Sequence, residues 1–337
     1  MKMSVTIKDV AKKANVSIST VSRVINDSKP VSDEIKKRVL EVIRETGYTP
    51  NPVARSLVMK KSRTIGVIVP DIASSYVGEV LNAMEEIAKA YGYEIILCNS
   101  YGEKEQELKY LNLLNSKQVE GIIFITYQLT EEHKNFIDIN KMPVVMVNRK
   151  TQVDDNIYSV TVDHFDASYQ MTKYLIEQGH KKIALIRNGT TKEIFGIDQL
   201  SGYQKALEEN DLVYDETLVY DGYFQAEKAY EAVQEMIDSG NVPSAIFATA
   251  DDMAVGAMNA LYDNGYRIPE DVSVVGFYDT KMSSLFRPKL TTIRQPIYDM
   301  GAVAIRLLIK LIKGEAVENN MVLLPHELIV RDSCSKK

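Results

Sequence analysis

Cysteine and histidine are scarce in this chain: its 337 residues hold two of the first and four of the second. Cys98 and Cys334 stand far apart and match no metal-ligand or redox spacing, so both read as free thiols of a reducing compartment. His133, His164, His180 and His326 are scattered, share no ligand spacing, and suggest no metal site. No apolar run approaches the ~20 residues a membrane span needs. The N-terminus lacks the apolar core of a secretory signal. The sequence has no Gly-x-Gly-x-x-Gly, no Walker-type Gly-Lys-Ser/Thr, no His-Glu-x-x-His and no Gly-x-Ser-x-Gly. Asp251-Asp252 looks like a paired carboxylate, but it sits where a strand meets the next helix and reads as helix capping. The expectation is a soluble cytoplasmic protein with no cofactor, no catalytic residues and no enzyme activity.

What is present is unevenly spread. Residues 1–63 carry 14 Lys/Arg against 6 Asp/Glu, a net +8, while the remainder carries 26 against 40, a net −14, giving the overall −6. A small basic head on a large acidic body suits a polyanion at one end only.

The head has a helix-turn-helix pattern. Thr6 precedes Asp9 by three residues, a capping-box spacing, and Ile7, Val10, Ala11 and Ala14 form an apolar stripe behind it. Ser17 can cap a second helix whose Val21, Val24 and Ile25 face inward. Ile18, Ser19, Ser22 and Arg23 then point out, as a recognition helix requires. A third helix starts near Ser32, with Asp33 and Glu34 in its first turn, and ends at Gly47. Tyr48-Thr-Pro-Asn-Pro52 is a stiff break. Val53-Ala-Arg-Ser-Leu-Val58 is too short to be a stable helix in water and reads as a hinge that folds on DNA, with Leu57 as an apolar wedge.

From Thr64 apolar runs alternate with helical stretches. Ile65–Pro70, Ile95–Leu97, Gly121–Ile125 and Val144–Val147 read as buried parallel strands, and Ile183–Ile186, Ala245–Ala248 and Val272–Gly276 form a second series. Helices are expected over Val80–Tyr91 and Glu103–Ser116. Two sets of βαβ units imply two Rossmann-like subdomains facing across a cleft.

Residues 4 to 337 resemble the LacI family of bacterial transcription regulators. Asp9-Val-Ala11, Val16-Ser17, Thr20-Val-Ser-Arg-Val-Ile-Asn26 and Val53-Ala-Arg-Ser-Leu57 carry the resemblance. Lys117–Phe124, Thr130–His133, Arg287–Leu290, Gln295–Leu308 and Leu324–His326 resemble a branch of the family that serves carbon catabolite control in Gram-positive bacteria. The resemblance implies a small all-α helix-turn-helix head plus an α/β periplasmic-binding-protein-like body of two Rossmann-like subdomains. The head would span 1–58, with the hinge at about 50–60. The N-subdomain would take 64–162 plus about 291–323, and the C-subdomain 163–290 plus about 324–337. Homodimers would place two heads on a palindromic double-stranded DNA operator.

The resemblance also implies roles for residues. Ile18, Ser19 and Arg23 would meet base edges, Thr6, Ser17, Thr20, Ser22 and Asn26 would position phosphates, and Ala54 and Leu57 would enter the minor groove. In the effector cleft, sugar-responsive relatives carry an arginine at the position of Gln199 and an aspartate at that of Tyr278. Losing both removes charged hydrogen bonds to sugar hydroxyls and argues against a tight sugar inducer. Asp163 is retained there, as ligand or as helix cap. The partner implied is the phosphocarrier HPr phosphorylated on serine. Arg306 would meet the phosphoserine, Lys310 would assist, Tyr298 and Asp299 would meet the carrier's basic patch, and Glu86 would join from the neighbouring helix. Val303, Leu307 and Leu308 would pack inward. The alternative implied is a repressor responding to a small effector such as a sugar, phosphosugar or nucleoside.

Overall fold

A computed structural model of the chain describes residues 5–26, 29–48, 62–150, 157–189 and 194–337. The chain divides into two compact units, Met1–Arg63 and Thr64–Lys337.

In the first unit α1 (Ile7–Lys13), α2 (Ile18–Asn26) and α3 (Asp33–Thr46) enclose a small core of Val10, Ala14, Val21, Val24, Val39 and Val42. Local chemistry sets the boundaries. The Asp9 carboxylate accepts from Thr6 N at 2.8 Å and Thr6 Oγ1 at 2.7 Å, so the capping box forms, and these bonds hold Asp9 below the usual carboxylate range. Thr20 N donates to Ser17 Oγ at 3.1 Å, which caps α2. Gly47 takes the left-handed conformation (φ 65°) that stops α3.

The second unit holds two six-stranded sheets. The first contains β1 (Thr64–Val69), β2 (Glu94–Asn99), β3 (Gly121–Phe124), β4 (Val144–Val147), β5 (Tyr158–Val162) and β11 (Met321–Leu324), in the order β11-β5-β4-β3-β1-β2, all parallel. Its helices are α4 (Ser75–Ala90), α5 (Lys104–Ser116), α6 (Glu131–Asn140) and α12 (Ile297–Ile312). The second contains β6 (Ile183–Arg187), β7 (Val219–Asp221), β8 (Ala245–Ala248), β9 (Ser273–Tyr278), β10 (Thr291–Arg294) and β12 (Glu327–Ile329), in the order β12-β10-β9-β8-β6-β7. Only β12 runs antiparallel there. Its helices are α7 (His164–Glu177), α8 (Ile194–Glu209), α9 (Ala226–Asp238), α10 (Asp251–Asp263) and α11 (Lys281–Leu285). The central strands are buried on both faces: in the first sheet Ile65, Val67 and Ile123 point to one core while Ile68, Ile122 and Phe124 point to the other.

The chain passes between the sheets three times, after β5, after β10 and after β11. This places the return to the N-subdomain, expected at about residue 291, a few residues later. Thr291–Arg294 pairs with β9, so the crossing falls at Gln295-Pro296. The cause is Thr291 and Thr292, two fully buried threonines whose hydroxyls are used inside the C-subdomain, by Arg331 N and by Asp251.

Behind the first sheet, the fully buried Glu107 of α5 faces His133 Nε2 of α6 at 3.3 Å. Burial pushes Glu107 up to about 7 and His133 down to about 4. A carboxyl raised in the folded state stabilises at low pH and costs stability as pH rises through its folded value. Glu107→Gln removes that cost. It is expected to be more stable than the native chain by about 1–3 kcal/mol at pH 8, with a smaller gain at pH 5. Denaturation midpoints at the two pH values measure this, and an equal shift at both would contradict it.

Candidate nucleic-acid interface, cleft and partner face

On the head, Val21 and Val24 anchor α2 while Ile18, Ser19 and Arg23 lie exposed on its outer surface. Ser17, Ser19 and Thr20 are linked hydroxyl to hydroxyl at 2.7 and 2.8 Å, which orients the start of the helix. Ser22 is half-buried, and α2 ends at Asn26. Arg23 shares a groove of about 360 Å³ with Lys29 and Lys36. Those two lysines had no motif to mark them. Their position before and inside the first turns of α3, beside a capped recognition helix, is the only signal the sequence offered. Ala54 and Leu57 of the expected hinge lie outside the described residues.

In the body, the cleft between the sheets is narrow. A cavity of about 30 Å³ remains, lined by Tyr76, Tyr127, Asn148, Phe224, Asp252 and Tyr278 among others. Two aromatic pairs close it, each with one ring from each subdomain. Tyr76 stacks on Tyr278 at 4.5 Å, and Tyr127 stacks on Phe224 at 4.7 Å. Asn148 Nδ2 donates to Tyr278 Oη at 3.3 Å. At the rim, Ser75 N and Oγ donate to Asp252 at 3.1 and 2.7 Å, and Lys281 N donates to Glu79 at 2.8 Å.

These contacts correct one expectation. Asp251 and Asp252 do not cap α10, because the cap position is Ala250 and makes no side-chain bond. Asp252 instead reaches across the cleft. Asp251 turns into the C-subdomain, accepting from Thr280 N at 2.7 Å, Thr280 Oγ1 at 3.0 Å and Thr292 Oγ1 at 2.7 Å. Of the three cleft residues expected, only Tyr278 lines the cavity. Asp163 caps α7, accepting from Phe165 N and Asp166 N, and pairs with Lys150 at 3.3 Å. Gln199 is fully buried in α8, where Ser168 Oγ donates to its carbonyl at 2.6 Å.

On the N-subdomain, α12 packs against α4, and Gly301 allows the approach: a Cβ there would lie 2.6 Å from the Val80 carbonyl. Its outer face exposes Tyr298, Asp299, Arg306 and Lys310. The Tyr298 phenol is hydrogen-bonded to exposed Glu86 of α4, a bond that raises its pKa. Arg306 and Lys310 flank a groove of about 560 Å³ whose floor includes Leu307 and Val322. Val303 is half-buried, packs against the core as expected, and also lines this groove. Leu307 and Leu308 pack inward as well. Among the described residues no helix is long and apolar enough to cross a membrane, and no cluster of His, Cys, Asp and Glu could hold a metal.

A basic three-helix head with an outward second helix, in one chain with a two-sheet receptor-like body, defines a DNA-reading regulator whose body carries the control. Comparison with known proteins gives the family. Residues 6–51 match the profile of bacterial regulatory proteins, lacI family, and residues 172–334 that of the periplasmic binding protein-like domain. The chain is 40% identical over 331 residues to catabolite control protein A of Priestia megaterium, covering 98% of this chain and 99% of that one. It is 41% identical over 333 residues to the HTH-type transcriptional regulator RegA of Clostridium saccharobutylicum, at 98% and 99% coverage. Among solved structures, the lac repressor dimer bound to operator and the anti-inducer ONPF superposes with a TM-score of 0.88 at 29% identity, over 98% of this chain and 99% of that one. The transcription regulator CcpA of Lactococcus lactis superposes at 0.75 and 37% identity, over 81% and 99%. The chain belongs to the LacI family of bacterial transcription regulators. It is a DNA-binding transcription regulator, not an enzyme.

Proposed function

We propose that this regulator serves carbon catabolite control in the cytoplasm, binding palindromic operators as a homodimer with serine-phosphorylated HPr as its protein corepressor. The observation that carries the reading is the outer face of α12. There the exposed Arg306 and Lys310 stand one turn apart beside a groove of mixed apolar and polar lining, while Tyr298, Asp299 and Glu86 form a polar patch at the other end. Arginine offers a phosphoserine a planar fork of donors, the adjacent lysine adds charge, and the acidic end suits a basic patch on the carrier. The 40% identity to catabolite control protein A over nearly the whole chain supports the same assignment.

On the operator, Arg23 suits a bidentate contact to guanine, with Ile18 and Ser19 beside it at base edges. Thr6, Ser17, Thr20, Ser22 and Asn26, with Lys29 and Lys36, fix the register on phosphates without reading sequence. Ala54 and Leu57 enter the minor groove once the hinges fold. Partner binding at the N-subdomains holds the two bodies of the dimer so that both hinges can order together. The coupling then runs equally in both directions, from partner to DNA and from DNA to partner. No cofactor is needed. The filled cleft counts against the alternative of a sugar, phosphosugar or nucleoside effector.

The test is an operator titration with HPr in its two phosphorylation states. Serine-phosphorylated HPr is expected to tighten binding about tenfold or more, as allosteric couplings of ordinary size do. Unphosphorylated HPr should have no effect. Equal affinities in all three conditions would refute the partner assignment.

A further inference from the structure

The cleft is occupied by the protein itself. Tyr278 lies at the C-terminal end of β9, where receptor-like α/β sheets bind their ligands. It is 2% exposed, stacks on Tyr76 of the opposite subdomain, meets Phe277 edge-on at 5.5 Å and brings its hydroxyl to Asn148. What remains beside it is about 30 Å³, room for about one water, whereas small-molecule sites run to about 300–1,000 Å³.

The backbone is bent to place that ring. Tyr278 has φ 111° and Asp279 φ 56°, conformations that side-chain-bearing residues rarely adopt and that glycine tolerates. Asp279 anchors the turn: its carboxylate accepts from Arg331 at 2.6 Å, Ser283 at 2.6 Å and Arg294 at 2.7 Å. A tyrosine kept in a glycine-like conformation by three bonds from the next residue marks a side chain whose position matters more than local strain.

We infer that Tyr278 is a tethered effector, its ring taking the seat a small molecule would hold and keeping the two subdomains shut without one. In this state the Tyr76 stack and the bonds from Ser75 to Asp252 and from Lys281 to Glu79 form together, because the ring supplies the apolar filling that a bound ligand would otherwise bring. The consequence for DNA rests on the proposed function above: a body held closed is fixed in the operator-competent arrangement and answers to its protein partner rather than to a metabolite.

Full-length Tyr278→Gly tests this, since glycine relaxes the backbone while removing the ring. The probe is 4-methylphenol, the lost side chain as a free molecule. In small-angle scattering the variant is expected to be more expanded than the native chain, and to contract when 4-methylphenol is added. Calorimetry should show one 4-methylphenol bound per variant chain and none by the native protein. Operator affinity should fall about tenfold, within the usual range of allosteric coupling, and recover with 4-methylphenol. Unchanged scattering in the variant, or no binding of 4-methylphenol, overturns the inference. Opening and rescue with operator affinity unmoved would uphold the tethered ring and count against the coupling to DNA. Should the glycine variant show no cooperative melting, Tyr76→Ala removes the facing ring, and the same expansion supports the inference while its absence overturns it.

Discussion

Arg306→Ala is expected to erase the effect of serine-phosphorylated HPr on operator binding while the affinity measured without HPr stays as it was. Arg306 is exposed on α12 and holds no structural bond among the described residues, so its loss leaves the packing against α4 and the sheet intact. In the proposed complex it meets a dianion. Hydrogen bonds to charged groups contribute about 1.5–3 kcal/mol, which at about 1.4 kcal/mol per decade weakens the partner roughly ten- to hundredfold. Arg306→Lys keeps the charge but loses the fork and should fall between the two. The measurement is an operator titration at fixed phosphorylated HPr for the three proteins, with a direct HPr-binding isotherm alongside. A native-like response from the alanine variant would move the partner off this face.

Asp251→Ala is expected to be the most damaging single change in the body to stability. The carboxylate is 1% exposed and receives three donors, one of them the backbone N–H of Thr280. Gly276 clears space for it, since a Cβ there would collide with Asp251 and Leu290. Alanine leaves those donors buried and unsatisfied, a loss of about 3–5 kcal/mol. The size depends on pH. Burial pushes Asp251 up to about 7, so its contribution is full at low pH and declines as pH rises from the ordinary aspartate range through that value. The deficit of the variant should be larger at pH 5 than at pH 8. Chemical denaturation at both values checks sign and size, and a midpoint near the native one at pH 5 would show that the donors find other partners.

Much of the architecture is legible in the sequence. The capping box of Thr6 and Asp9, the Ser17 cap, the Gly47 stop and the apolar runs of β1, β3, β4, β6, β8 and β9 are local signals. Each involves residues within a few positions of one another, so period and turn chemistry report them directly. Five strands are not marked by such runs: the short β7, β11 and β12, and β5 and β10, whose Ser159, Thr161, Thr291 and Thr292 read as polar in sequence yet are fully buried. Their burial is bearable only because partners arrive from elsewhere, as Asp251 does for Thr292 across 41 residues. The same reason explains the misreading of Asp251-Asp252, adjacent in sequence but engaged in different directions.

The sequence by itself determined the class of this molecule: a capped, outward-facing second helix on a cationic head, and a body of buried strands and helices. Only the tertiary structure decided the state of its cleft. Tyr278 meets Asn148 from 130 residues away and Asp252 meets Ser75 from 177. Side-chain partners so distant in the chain are set by how two sheets pack, which no local periodicity encodes.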